Sequence, residues 1–117
     1  MLEGSDIEII GYCRSGEEAL EQYGTMKPDL VTLDIVMPGM DGFAVLEQMN
    51  HQKWIEDTPV IMISSENSAA YIRKAYDMGV SDFINRPFDA NVVIRRVYNT
   101  IKLYAKQRRL TTILTEQ

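Results

Sequence analysis

The chain of 117 residues has one cysteine, Cys13, and one histidine, His51. A lone cysteine forms no internal disulfide and fits a reducing cytoplasm. Neither residue has a partner at metal-ligand spacing, so both read as structural or surface positions. His51 also sits far from any predicted strand end, which argues against nucleophile–histidine hydrolysis. No apolar run approaches the ~20 residues that a membrane span needs, and no signal-peptide pattern opens the sequence. Internal repeats and low-complexity stretches are absent too. With 45% hydrophobic and 25% charged residues, what is there has the composition and length of one soluble globular domain.

The formal charge of -5 conceals an asymmetry. Residues 1–94 carry a net -10, whereas residues 95–117, with Arg95, Arg96, Lys102, Lys106, Arg108 and Arg109 against Glu116, carry +5. An acidic body repels nucleic acid at long range, so DNA binding by the main fold is not expected. The basic tail reads first as a solvated helix face.

Short β-branched runs alternate with stretches of helical period. Ile7–Gly11 reads as a strand. Ser15-Gly-Glu-Glu18 is a capping box that opens a helix with Ala19, Leu20 and Tyr23 on one face, ending near Lys27-Pro28. Leu30–Asp34 is the next strand, and Asp41-Gly42 starts a helix through Phe43, Val45, Leu46 and Met49. Pro59–Ile63 is a strand apolar on both faces, ended by Ser64-Ser65. A helix with Ala70, Ile72, Ala75, Tyr76 and Met78 follows, closed by Gly79. Val80–Asn85 is the last strand, Arg86-Pro87-Phe88 a turn, and Asp89 the N-cap of the final helix. Strands apolar on both faces and alternating with helices predict an α/β fold, a parallel sheet covered on two sides.

In such sheets the functional crevice lies at the carboxyl ends of the strands. Asp34, Ser64 and Arg86 stand at three of those ends: a carboxylate, a hydroxyl and a cation. A carboxylate there is a turn cap, a metal ligand or a nucleophile toward phosphorus. Accepting a phosphoryl group further requires cations to neutralise charge and donors to hold its oxygens. Ser64 and Arg86 supply one of each, and Pro38-Gly39 turns the chain sharply beside Asp34.

Taken in order, LDIVMPGMDG, PVIMISS and DFINRPFD resemble the receiver domain of two-component response regulators, over about Ile7 to Ile101. The resemblance implies a flavodoxin-like fold. It further implies Asp34 as the phosphoacceptor, Ser64 and Phe83 as the hydroxyl and aromatic that switch together, and the Val36 backbone carbonyl with Asp34 as ligands of Mg2+. Arg86 stands where the family carries a lysine before proline, whose peptide bond is often cis. Arginine is a longer, planar fork, so its hold on a phosphoryl group differs from that of lysine.

The larger departure is at the front. The family's first strand and the acidic pair that holds the metal are missing, and Met1-Leu-Glu-Gly resembles the end of the first helix. Asp6 and Glu8 flank the wrong strand to replace that pair. Four strands and four helices are therefore expected, with residues 1–104 an N-terminally incomplete receiver-like domain and 105–117 a helical extension or linker. Mg2+ is expected to bind weakly or not at all. A missing central strand leaves open edges and an uncovered apolar face. That suggests either a shortened form of a longer receiver or a receiver-derived module that does not work alone.

The function implied is a cytoplasmic phosphoacceptor switch, not a turnover enzyme. It would receive phosphate from a histidine kinase or phosphotransfer protein and act on an output domain or downstream protein, as a homodimer and without membrane contact. The alternative is a degenerate receiver that serves as a phosphorylation-independent interaction or dimerisation module. A flavodoxin-like binder of small ligands has little support, since the chain lacks a glycine-rich phosphate loop.

Overall fold

A computed structural model describes residues 13–36, 39–65 and 68–116, with side chains as far as Ala105. The strand expected at Ile7–Gly11 and the proline of the Pro38-Gly39 turn lie outside the described residues. Ser15 caps α1 (Gly16–Met26), its hydroxyl accepting the Glu18 amide. The Glu18 carboxylate takes the amide of Arg14 at 2.8 Å, one residue earlier than an ideal capping box would place it. Lys27 ends the helix in the left-handed region, at φ 48°.

Three strands follow: β1 (Val31–Leu33), β2 (Val60–Ser64) and β3 (Asp82–Asn85). They form one parallel sheet in the order β1-β2-β3, with Val31 opposite Val60 and Met62 opposite Phe83. Among the described residues β1 is therefore a sheet edge. Crossovers are made by α2 (Gly42–His51), with a short 3-10 turn at Trp54–Glu56, and by α3 (Ala69–Asp77). Asp41 caps α2 and Ser68 caps α3 through their side chains, the residue types that best satisfy free helix amides. The final strand begins two residues later than the sequence suggests. The Val80 amide is occupied in closing α3, donating to the Ala75 carbonyl at 3.2 Å.

Leu33, Phe43, Val45, Leu46, Met49, Val60, Met62, Ala75 and Phe83 form the main core between α1, α2, α3 and one face of the sheet. Tyr23 stacks on Trp54 with ring centroids 4.3 Å apart, and its hydroxyl meets that of Thr58 at 2.6 Å. Ile61 and Ile84 are buried on the opposite pleat, outside that cluster. On that side α4 (Ala90–Glu116) meets the sheet through Arg96 and Asp82, 3.7 Å apart, and through the Tyr104 and Ser81 hydroxyls, 3.4 Å apart. Helices thus lie on both sides of the sheet, which is why β2 is apolar from Val60 to Ile63, with Ser64 alone polar at its end. The backbone of α4 continues as helix past Tyr104 to Glu116. No helix among the described residues is long and apolar enough to cross a membrane.

Candidate functional site

Because the strands are parallel, their carboxyl ends share one rim. Asp34 follows β1 directly, Ser64 is the last residue of β2, and Arg86 follows β3. The Arg86 amide donates to the Ser64 carbonyl at 3.0 Å, so the sheet ladder fixes its backbone one step past the strand. From there its guanidinium reaches across β2 to Asp34, with Nη2 3.4 Å from Oδ2. The same guanidinium lies 5.8 Å from the centre of the Phe88 ring, within cation–π range. The Arg86-Pro87 peptide bond is cis.

Asp34 is held from its other side by the loop that follows it. Its Oδ1 accepts the Val36 amide at 3.2 Å, and the Gly42 amide closes the loop on the Ile35 carbonyl at 2.9 Å. Gly42 sits so close that a Cβ would strike the Asp34 carbonyl oxygen and stand 2.9 Å from its carbon. Val36 is 65% exposed, on the open side of the site.

Two depths are present. The pair is open to solvent, with side-chain exposures of 49% for Arg86 and 32% for Asp34. Ser64 is wholly buried, and Phe83 lies in the main core opposite Met62. Asp34 and Arg86 are thus brought into contact, while Ser64 and Phe83 stand below them on the core face.

The Mg2+ that the sequence resemblance implies needs about six oxygens, several of them commonly water. Asp34 and the Val36 carbonyl provide two. No group of three or more His, Cys, Asp or Glu side chains suited to a metal occurs among the described residues. Among the described residues, these two donors suit an ion that keeps several of its waters.

Two contacts at the site are not legible in the sequence. Phe88 beneath Arg86 has only its place in the turn to signal it. Glu17 reads as an ordinary acid of a first helical turn, yet its Oε1 accepts the Met40 amide at 3.2 Å, across a separation no local pattern reports. Bonds from its own amide and then from that of Met40 hold its carboxyl below the usual glutamate range.

A parallel sheet between helices, bearing an acid and a cation together at its carboxyl rim, defines a flavodoxin-like α/β domain with a polar site at the strand ends. The family model described as the response regulator receiver domain matches residues 1–98, and the chain belongs to that family. It is 35% identical over 102 residues to the chemotaxis protein CheY of Listeria monocytogenes, covering 87% of this chain and 84% of that protein. A protein-glutamate methylesterase/protein-glutamine glutaminase of Geobacter sulfurreducens is 41% identical over 88 residues, 74% of this chain but only 23% of that protein. Among solved structures, the CheX-CheY complex with BeF3 and Mg2+ from Borrelia burgdorferi matches with a TM-score of 0.71 at 35% identity. That match covers 80% of this chain and 70% of the other.

Proposed function

We propose that this receiver domain is a phosphoryl-controlled switch with Asp34 as its acceptor. The observation that carries the reading is the meeting of Asp34 and Arg86, 3.4 Å apart at the sheet rim. The Asp34 carboxylate attacks the phosphorus of a phosphohistidine presented by a kinase or phosphotransfer protein. An O–P bond forms, the P–N bond breaks, and the imidazole leaves with the electron pair and takes a proton from water. Arg86 pairs with the phosphoryl oxygens as they arrive, in place of the carboxylate it now faces. Mg2+, where bound by Asp34 and the Val36 carbonyl, supplies further neutralisation of that charge. The Ser64 hydroxyl turns from the core toward the phosphoryl group, and Phe83 moves into the space it leaves. The change then passes to an output domain or a downstream protein.

Incubation of the chain with a small phosphodonor and Mg2+, followed by intact-mass measurement, tests the assignment. Weak labelling is expected, given the sparse donor set, and none in Asp34→Asn. Label that persists in that variant, or that maps to another residue, overturns it.

A second reading is a degenerate receiver that binds partners or a second copy without phosphorylation. Arg86 favours it, since Asp34 already has a permanently charged partner. Complete failure to label, with association unchanged in Asp34→Asn, would support this reading over the first.

A further inference from the structure

We propose that Glu17, in the first turn of α1, is a positioning residue for the loop that carries Asp34 and the Val36 carbonyl. This rests on the phosphoacceptor reading of Asp34. The loop from Ile35 to Gly42 is closed at its neck by the Gly42 amide on the Ile35 carbonyl, 2.9 Å. Its far side is held by α1. Glu17 Oε1 accepts the Met40 amide at 3.2 Å, and the carboxylate fills the space over Gly39. A Cβ on Gly39 would stand 2.6 Å from the same oxygen. Gly39 itself has φ +72°, a conformation that glycine adopts without strain.

One residue earlier the contact becomes backbone against backbone. Gly16 is buried, and a Cβ there would strike the Met40 carbonyl and lie 2.8 Å from both Met40 Cβ and Val45 Cγ2. The first turn of α1 and the far side of the loop are therefore in close contact, with no room for a side chain at Gly16. Neighbouring acids divide the work: Glu18 holds the Arg14 amide ahead of the helix, and Glu17 reaches outward to the loop. A carboxylate acceptor makes a stronger bond to an amide than a neutral one does.

Within the closed loop, the Val36 amide binds Asp34 Oδ1. Without the Glu17 bond, among the described residues that geometry rests on the neck and on the close approach of Gly16 to Met40. A displacement of the first turn of α1, by a docking partner for example, would thus change the setting of Asp34. By linkage, a change at Asp34 would alter affinity at α1 to the same degree.

Amide hydrogen exchange, measured by NMR on the full 117-residue chain without any phosphodonor, tests the proposal. In Glu17→Ala the Met40 and Val36 amides should exchange about tenfold faster, the scale of one lost charge-assisted hydrogen bond. The β2 amides of Ile61 and Met62 should not change. Glu17→Gln, whose side-chain oxygen can accept the same bond, should restore most of the protection. An unchanged Val36 amide in the alanine variant overturns the proposal. So does equal loosening of Ile61 and Met62, or a glutamine variant no better protected than alanine. Labelling of Asp34 is scored separately: a parent chain that never labels counts against the phosphoacceptor reading, while the exchange data still judge Glu17.

Discussion

The guanidinium of Arg86 stands 3.4 Å from the Asp34 carboxylate, each at the end of a strand with β2 between them. Arg86 is exposed and Asp34 half-buried at the surface, and such solvent-accessible pairs contribute about 0–1 kcal/mol to stability. Arg86→Ala should accordingly lower the unfolding free energy in urea by less than about 1 kcal/mol. On the proposed phosphoacceptor role, labelling at Asp34 should fall much further, because the cation would act on arriving charge and not on the resting fold. Arg86→Lys removes the fork and its contact with Phe88 and is expected to label more readily than the parent. Equal rates in the lysine variant would show that the fork geometry is immaterial here.

Gly42 offers a sharper structural test. A methyl group at this position would collide with the Asp34 carbonyl oxygen and stand 3.0 Å from the Ile35 Cα. Both obstacles are backbone, so no rotamer change relieves them. Gly42→Ala should cost about 1–3 kcal/mol in chemical denaturation, the range for overpacking. It should also shift the NMR resonances of Asp34 and Val36 more than those of β3. A variant as stable as the parent would mean that the helix start moves freely relative to Asp34.

Much of this arrangement was legible in the residues. The alternation of β-branched runs with helical periods located the described strands, and so set Asp34, Ser64 and Arg86 at one rim. Ser15, Asp41 and Asp89 announce helix starts through local chemistry that needs no tertiary partner; the Asp89 carboxylate accepts the Asn91 amide at 2.8 Å. Other features depend on distant atoms. Gly42 reads as a helix start, but the close approach of the Asp34 carbonyl also requires glycine there. Val80 reads as strand by composition, and closure of α3 claims its amide. Ser64 reads as a rim hydroxyl, yet the pleat turns its side chain into the core. Glu17 meets Met40 only because the first turn of α1 packs on the loop after β1, a contact that no short-range pattern encodes.

Glu17 also gives a pH dependence of definite sign. Its carboxyl is held below the ordinary glutamate range by bonds from its own amide and that of Met40. A depressed pKa in the folded state contributes stability above the unfolded pKa and loses it as pH falls through the folded value. The parent should therefore be more stable than Glu17→Gln near neutral pH. The difference should shrink on acidification below the usual glutamate range. Thermal melts of both proteins from neutral to strongly acidic pH would show convergence. A gap that stays constant with pH would mean that the charge at Glu17 contributes nothing.

Self-association is the last expectation, and it follows from two surfaces. At the edge of the sheet, β1 has a neighbour only in β2 among the described residues, and a strand edge left without a partner would be open to pairing. In α4, Val93, Val97 and Ile101 recur at four-residue intervals and are half-buried, which suits packing on the sheet. The sequence continues the interval to Ala105 and adds Leu110, Ile113 and Leu114, while the helical backbone runs on to Glu116. Apolar residues spaced in this way along a helix suit a partner helix, and the flanking Lys102, Lys106, Arg108 and Arg109 would keep such a pair soluble. We therefore expect a dimer, formed through the tail or the open edge. Sedimentation equilibrium over a wide concentration range should show it. The double change Leu110→Glu and Leu114→Glu should weaken a tail-mediated dimer and leave an edge-mediated one intact. A parent chain that stays monomeric and unfolds cooperatively would refute both routes.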